Sequence, residues 1–396
     1  MPHRKLLGCQ VFRDTGLPPK WRLEPLRQYI ELAYGFSLPD ERRNLGPIRV
    51  FGSNGRVGSH DKIGVAGPGV LIGRKGTVGA VHFTSDDFWP IDTVYYVRLL
   101  DDHNLRFVYH LLSYLPLNIL NAATGVPGLS RRDAYALLAP FPPPEEQAAI
   151  ARILDVVDTA IQCTQNAIHR ARDLQTSLTN ELIDKLGAPL RRLGEFAADV
   201  RYGTSNASNT NGWGHPALRI PNVLRGELSI DDLSYVEVKT ADSRRLMLRD
   251  GDLLLVRTNG NPHYVGRSVV FHPPDGRHWI YASYLIRVRL GKGLSPEYAN
   301  LVLGLERGRR ELLRRVTTSA GNCNINSNSI RLVRLPVPTS ESDQMRVVEA
   351  GHAVRAVQEV QLFKLRALND LKRSLMHALL TGKVRTDQLK LDGVAA

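Results

Sequence analysis

The stretch TSLTNELI at Thr176–Ile183 is matched 197 residues further along the chain by RSLMHALL at Arg373–Leu380. Ser177, Leu178 and Leu182 have identical counterparts at that one spacing. A fixed spacing between matching stretches is how an internal repeat shows itself in a sequence. The chain is therefore predicted to contain two copies of one structural unit.

The repeat extends towards the N-terminus, where its spacing shortens. PFP at Pro140–Pro142 corresponds to PVP at Pro336–Pro338 at a spacing of 196. Earlier pairs lie closer still: Trp89 and Trp279 are 190 apart, and Tyr34-Gly35 and Tyr202-Gly203 are 168 apart. A constant spacing in one part and a drifting one in the other predict a fixed helical scaffold that carries two more variable lobes.

Two long amphipathic helices are predicted in the scaffold. Apolar residues three and four apart follow Pro144 as far as Gly187, in the pattern of a coiled-coil seam. The second helix is expected to start at Ser340, a good N-cap residue, and to end at Gly382. Polar residues on a seam often fix its register, so we expect antiparallel pairing of the two helices. These polar positions are Thr164, Gln175, Gln358, Gln361 and Lys372.

Outside the helices, short strand-like runs are interrupted by Gly, Pro and Asn, which indicates mixed α and β structure in each lobe. The runs are Val70–Ile72, Val94–Val97, Leu253–Val256 and Tyr284–Val288. The predicted fold class is α/β (α+β), with two domains joined by two long antiparallel coiled-coil helices and pseudo-twofold symmetry. The predicted segments are an N-terminal tail 1–16, a first lobe 17–143, a helix 144–187, a second lobe 188–339, a helix 340–382 and a C-terminal tail 383–396.

Composition favours a polyanionic partner. The chain has 52 Lys and Arg against 39 Asp and Glu, a formal charge of +13, so nucleic acid is the leading candidate. No segment has the roughly 20 apolar residues that span a bilayer, and Met1–Lys5 does not begin a signal peptide. A cytoplasmic location is expected.

Few residues offer metal or redox chemistry. Cys9, Cys163 and Cys323 are far apart, which excludes a disulfide framework and a CxxC clamp. The histidines are scattered singly, and neither HExxH nor a Walker loop occurs. No metal and no cofactor are expected in this chain.

In the order of these features the chain resembles the specificity subunits of type I restriction–modification enzymes, from about Leu17 to Lys383. The stretches that carry the resemblance are LPPKW at Leu17–Trp21, FGSNG at Phe51–Gly55, IGRKGTVG at Ile72–Gly79, FWPIDT at Phe88–Thr93, PPPEEQ at Pro142–Gln147 and LLTGK at Leu379–Lys383. The second lobe departs from the pattern: VRTNG at Val256–Gly260 replaces the Gly-Arg-Lys-Gly stretch, and PPEEQ is missing before the second helix.

The resemblance implies a DNA reader without catalysis of its own. Such a subunit binds a bipartite double-stranded DNA target, one target-recognition domain per half-site, while the helices set the gap between them. Methyltransferase subunits dock on the helices and use S-adenosylmethionine to methylate adenine. A separate motor and restriction subunit, associated indirectly, cleaves unmodified DNA.

Candidate DNA-binding residues lie in Gly-rich loops, because forked donors and amides read base edges and glycines allow close approach of the backbone. In the first lobe they are Asn54, Arg56, Arg74, Lys75 and Thr77. In the second they are Arg257, Thr258, Asn259, Asn261, His263, Tyr264 and Arg267, crowded directly after an apolar strand. The alternative for each is an ordinary solvated turn. Asn322, Asn324, Asn326 and Asn328 are assigned a structural role, like the corresponding Gly125–Ser130.

Two near-matches leave other functions open. NPHY at Asn261–Tyr264 resembles the Asn-Pro-Pro-aromatic motif of amino methyltransferases, with His263 in place of the second proline. Glu237 and Lys239 downstream of Asp231 and Asp232 imitate a metal-dependent nuclease site. The alternatives to a DNA reader are therefore a self-contained methyltransferase or nuclease, and a helical adaptor between proteins.

Overall fold

The computed structural model describes residue 12 and residues 16–120, 128–224, 226–319 and 321–388. The chain divides into two compact units. Unit 1 comprises residues 1–165 and 362–396, and unit 2 comprises residues 166–361. Both dividing points fall inside long helices, so each unit contains part of both.

The two long helices are Pro144–Lys185 and Glu341–Leu380. Each ends just before a glycine with positive φ, +56° at Gly187 and +71° at Gly382. Left-handed backbone at this point is a common way to end a helix, and glycine adopts it without steric cost. Ser340 caps the second helix, because its Oγ accepts a hydrogen bond from the Asp343 main-chain N–H at 3.4 Å.

Unit 1 is built on a four-stranded antiparallel sheet. In order across the sheet its strands are Ile30–Tyr34, Val94–Leu99, Gly69–Gly73 and Val81–Thr84. A three-stranded sheet joins Gly55–His60, Ile48–Gly52 and Phe88–Pro90. A ribbon pairs Arg22–Pro25 with Leu138–Phe141. The helices are Leu105–Tyr114 and Arg131–Tyr135, with 3-10 turns at Leu26–Gln28, Asp40–Arg42, Leu117–Ile119 and Thr386–Gln388.

The main core of unit 1 joins its sheet to both long helices. Ile150 and Leu154 of the first long helix share this core with Met376 and Leu379 of the second. Asp158 and Lys372 add an ion pair of 2.5 Å between the same helices.

Unit 2 contains a four-stranded antiparallel sheet in the order Ala197–Tyr202, Leu285–Leu290, Asp252–Val256 and Ser268–Phe271. A second sheet joins Ser208–Asn209, Ser234–Val236, His215–Leu218 and Ile280–Tyr281, and a third joins Thr258–Asn259, Asn322–Asn324 and Thr317–Ser319. A ribbon pairs Leu190–Arg192 with Arg334–Pro336. The helices are Leu193–Phe196, Ile220–Val223, Thr240–Leu246, Pro296–Gly304, Glu306–Leu313 and Ser327–Arg331.

The long helices also meet within unit 2, where Ile183, Val347 and Val348 enter one core. The Gln175 side chain donates to the Gly351 carbonyl at 3.0 Å and accepts from the Gln358 amide at 3.0 Å. Both units thus have the mixed α and β structure that the sequence predicts. Among the described residues, no helix is both long and apolar enough to cross a membrane.

Candidate nucleic-acid interface

In unit 1, four of the five residues nominated in the first lobe lie in two loops, whereas Arg56 lies in the strand Gly55–His60. Asn54 lies exposed in the turn between Ile48–Gly52 and Gly55–His60, and Gly55 completes the turn with a φ of +100°. Arg56 is also exposed, and its Nε donates to the Gly58 carbonyl at 3.3 Å.

The second loop follows the buried strand Gly69–Gly73 and contains Arg74, Lys75 and Thr77. The main-chain N–H groups of Arg74 and Lys75 donate to the Thr93 carbonyl at 2.8 and 3.1 Å. The side chains of Lys75 and Thr77 are exposed. A Cβ added at Gly76 would lie 3.2 Å from Ser53 Oγ, so the two loops are in contact.

The Arg74 side chain is fixed at one of its donors. Its Nη1 donates to the Asp92 carbonyl at 3.0 Å, and its guanidinium carbon lies 4.9 Å from the ring centroid of Tyr34. Tyr34 is 48% exposed. The arginine is therefore held by the sheet while part of its guanidinium remains able to bind a ligand.

Arg257 has the same surroundings in unit 2. Its main-chain N–H donates to the Tyr284 carbonyl at 2.8 Å, and its Nη1 donates to the Ser283 carbonyl at 3.2 Å. Its guanidinium carbon lies 4.5 Å from the ring centroid of Tyr202. Arg257 thus emerges from the buried strand Asp252–Val256 in the way that Arg74 emerges from its own.

Thr258 and Asn259 are half-buried in a short strand rather than a free loop, because they pair with Asn324 and Cys323. The asparagine segment after Gly321 has a structural part, as expected: Asn322–Asn324 is the partner strand, and Asn326 Oδ1 accepts from the Ser329 N–H at 2.8 Å. In the first lobe Ser130 caps Arg131–Tyr135 similarly, with a 3.2 Å hydrogen bond from the Asp133 N–H. Gly125–Pro127 lies outside the described residues.

The loop from Asn259 to Arg267 is organised by its own side chains. Asn259 Oδ1 accepts from the Asn261 N–H at 2.9 Å, and Asn261 Oδ1 accepts from the His263 N–H at 2.9 Å. The side chain of His263 is exposed, while Tyr264 is half-buried beneath the Arg267 guanidinium at 4.7 Å. Because the carboxamide oxygen of Asn261 already accepts a hydrogen bond within this turn, Asn261 is less like the asparagine of a methyltransferase motif.

Arg267 supports this loop by bonding main-chain carbonyls. Its Nη1 donates to Leu224 O at 2.9 Å and its Nε to His263 O at 3.3 Å. Arg309, which sequence reasoning missed, donates to the same His263 carbonyl at 3.1 Å. Burial, with the nearby charge of Arg267, lowers the pKa of Arg309.

The nuclease-like residues do not converge among the described residues. Glu237 and Lys239 are exposed, and among the described residues Glu237 forms no group of metal-ligand geometry with Asp231 and Asp232. The Asp232 carboxylate instead accepts from Arg219 Nη2 at 2.9 Å.

One group among the described residues has metal-ligand geometry: His110, Asp155 and Asp158, whose ligand atoms lie within 4.8 Å of one another. Cations of the chain already occupy both carboxylates, Arg106 on Asp155 and Lys372 on Asp158. Burial alone would raise the pKa of Asp155, but hydrogen bonds from Arg106 and His110 lower it below its usual value. These charges balance within the cluster, which does not fit a divalent cation.

Two buried glutamines have structural roles that the sequence analysis did not predict. Gln147 donates to the Pro142 carbonyl at 2.9 Å and accepts from the Asn104 N–H at 3.0 Å, at the start of helix Leu105–Tyr114. Gln344 likewise donates to Pro338 O at 2.9 Å and accepts from the Ser295 N–H at 2.8 Å. Their separation of 197 is the signal that could have found them. The second helix lacks PPEEQ as a motif, yet keeps its glutamine.

Known proteins resemble this chain in sequence and in fold. Residues 36–170, which include both loops of unit 1, match the family described as Type I restriction modification DNA specificity domain. The specificity subunit of the type I restriction enzyme EcoKI of Escherichia coli (strain K12) is 26% identical over 288 residues. Over residues 36–170 the chain is thus similar to a type I DNA specificity domain.

The alignment with the EcoKI specificity subunit takes in 68% of this chain and 62% of that relative's length. Solved structures of specificity subunits share the fold. The S subunit of a type I restriction–modification system from M. genitalium superposes with a TM-score of 0.60 at 16% identity, over 91% of this chain and 96% of that one. A chain from a study of complex assembly and conformational transition of the type I R-M system superposes with a TM-score of 0.54 at 15% identity, over 93% and 99%.

Proposed function

We propose that this chain is the non-catalytic DNA-specificity subunit of a type I restriction–modification enzyme, and that it binds a bipartite double-stranded DNA target. The observation that carries the proposal is the match of residues 36–170 to a DNA specificity domain. The matched residues include the two loops, at Asn54 and Arg74, that contact each other. The formal charge of +13 supports a polyanionic partner.

The two units act, in this proposal, as an internal repeat of target-recognition domains spanning 17–143 and 188–339. Matching hydrogen bonds support the repeat. The main-chain N–H groups of Arg74 and Arg257 donate to the carbonyl of the residue just before the neighbouring strand. The carbonyls of Arg74 and Arg257 themselves accept from the N–H groups of Leu129 and Ile325, at 2.8 and 2.9 Å. Leu129 and Ile325 are 196 apart, the same spacing as the proline pairs.

The long helices form, in this proposal, an antiparallel coiled coil that sets the gap between the half-sites. Within unit 1 the N-terminal part of the first helix contacts the C-terminal part of the second, at Asp158 and Lys372. Within unit 2 the relation is reversed, at Gln175 and Gly351. Both contacts agree with opposite chain directions.

The nominated residues divide into two roles. Exposed groups suit direct contact with DNA: Asn54, Arg56, Lys75, Thr77, Asn261 and His263. Half-buried residues shape the loops and offer the donors that remain: Arg74, Arg257, Thr258, Asn259, Tyr264 and Arg267. The different side chains of the two lobes would read different half-sites.

Methyltransferase subunits are the proposed partners on the helices, and a restriction subunit joins the assembly through them. S-adenosylmethionine belongs to the methyltransferase subunits. The structural likeness to a chain from a type I R-M assembly supports this arrangement.

Adenine methylation mapping tests the proposed function. Cells that express the chain with its methyltransferase subunit should methylate one bipartite motif, which gives both half-sites and their separation. Replacing residues 188–339 by the second lobe of a relative should change one half-site alone. Methylation without a sequence motif, or a motif unaffected by the exchange, would refute the proposal.

A further inference from the structure

Cations stacked on aromatic rings fall into two classes among the described residues. Six of them also have a carboxylate within 4.0 Å: Arg98, Arg106, Arg191, Arg277, Arg287 and Lys372. Four have no such acid partner: Arg74, Arg131, Arg257 and Arg267. Each of these four lies on a tyrosine.

Three of the four arginines without an acid partner lie in loops that the sequence analysis had already selected. Arg74, Arg257 and Arg267 lie in the loops that the sequence nominated for DNA contact. Arg131 was not nominated, yet it lies on Tyr34, the same ring that Arg74 covers. A physical criterion independent of the sequence pattern therefore selects the same loops and adds one residue.

Two positively charged guanidinium groups lie next to the ring of Tyr34. The guanidinium carbons of Arg74 and Arg131 each lie 4.9 Å from its ring centroid, so they are no more than about 10 Å apart. The Arg131 Nη1 donates to the Leu32 carbonyl at 3.5 Å, and the part of the chain that the structure describes offers no further acceptor to this guanidinium. Two like charges at this distance repel each other, and an anion would relieve the repulsion.

We infer that Arg131, together with Arg74 on Tyr34, forms a binding site for the phosphodiester backbone of duplex DNA. The inference rests on the proposed function and adds a phosphate contact to it. Guanidinium donors match phosphate oxygens in geometry and charge. In unit 2 the corresponding place next to Tyr202 is taken by Ser327, whose N–H donates to the Tyr202 hydroxyl at 3.0 Å. Unit 1 therefore makes one more phosphate contact here than unit 2.

The test compares Arg131→Gln with the full-length wild type on a duplex of random sequence. Affinity is measured by fluorescence anisotropy over a salt series from about 50 to 200 mM. The slope of log affinity against log salt concentration is negative, and removal of one phosphate contact should reduce its magnitude by about 0.9. Arg131→Lys should keep the wild-type slope. Arg98→Gln is the matched control, because Arg98 lies 5.2 Å from the Tyr96 ring but has Glu31 at 3.5 Å, and it should leave the slope unchanged.

A wild-type slope in Arg131→Gln would overturn the inference while the proposed function stands. An equal loss in Arg98→Gln would also overturn it, since any surface cation would then serve. If Arg131→Gln fails to fold, Arg131→Met, which keeps an unbranched apolar side chain as far as the ε position, serves in its place with the same criteria. Salt-independent binding by the wild type would instead refute the proposed function itself.

Discussion

At the scale of single residues, the two buried glutamines, Gln147 and Gln344, make equivalent hydrogen bonds at the starts of the two long helices. Gln147 and Gln344 each join the chain just before a long helix to the first turn of a shorter helix. Both are fully buried, so each hydrogen bond is shielded from water. Such a position tolerates little change.

Replacing Gln147 by alanine should destabilise the protein by about 1–3 kcal/mol, because the Asn104 N–H and the Pro142 carbonyl lose their buried partner. Urea unfolding would measure the loss. Glu145→Gln is the control, since Glu145 is exposed in the same turn and should change stability little. Equal stability of Gln147→Ala and the control would contradict a stabilising role for these two buried hydrogen bonds.

Two neighbouring glycines should differ in their tolerance to alanine. Gly212 and Gly214 have φ of +83° and +96°, so both substitutions cost about 1–2 kcal/mol through backbone conformation. A Cβ at Gly214 would also lie 2.4 Å from the Val236 carbonyl, whereas one at Gly212 meets nothing within 4 Å. Thermal unfolding should show a clearly larger loss for Gly214→Ala. Equal losses would mean that the strand at Val236 moves aside.

At the scale of elements, a charged cluster connects the first long helix to Leu105–Tyr114. Asp155 accepts hydrogen bonds from Arg106 Nε at 2.9 Å and from His110 Nε2 at 2.7 Å. The pKa of Asp155 is lowered below 3.8, so its ionised form is favoured in the folded state.

Asp155 should therefore contribute stability above pH 3.8 and lose it as the pH falls towards its lowered folded pKa. Asp155→Asn should be less stable at neutral pH and should lose part of the acid sensitivity of the wild type. Chemical unfolding at a series of pH values below 5 would measure both effects. A constant difference between the two proteins across that range would exclude this role.

Elements with a strong local pattern could be predicted from the sequence, and those made by distant contacts could not. The seam from Ile150 gave the first long helix because the signal repeats every three or four residues, and the run at Leu253 gave a central strand. Thr258 and Asn259 read as loop, since two residues carry no period and their strand partner lies near Asn324. Arg131 was missed for a similar reason: only folding brings it onto Tyr34, 97 positions away.

At the scale of the whole molecule, the proposed ruler makes a prediction about spacing. Inserting one helical turn into each long helix, near Gln165 and near Gln361, should lengthen the gap in the methylated motif and leave both half-sites unchanged. Methylation mapping reads all three quantities at once. A matched control inserts the same residues after Gly276, where an added Cβ would meet nothing within 4 Å, and should leave the gap as it was. An unaltered gap after the helix insertion would refute the ruler.

The division of the chain also bears on the order in which the two units can fold during synthesis. Unit 2 is continuous in sequence, whereas the main core of unit 1 needs Met376, Leu379 and Leu380 from the last segment of the chain. Domains generally fold as they leave the ribosome, N-terminal first. Here the N-terminal unit cannot complete its core until the last segment of the chain has been made. Nascent unit 2 can therefore complete its fold while unit 1 still exposes the apolar face that those three residues cover. Translation arrested before residue 376 would release a chain whose second lobe is finished and whose first lobe is a chaperone substrate.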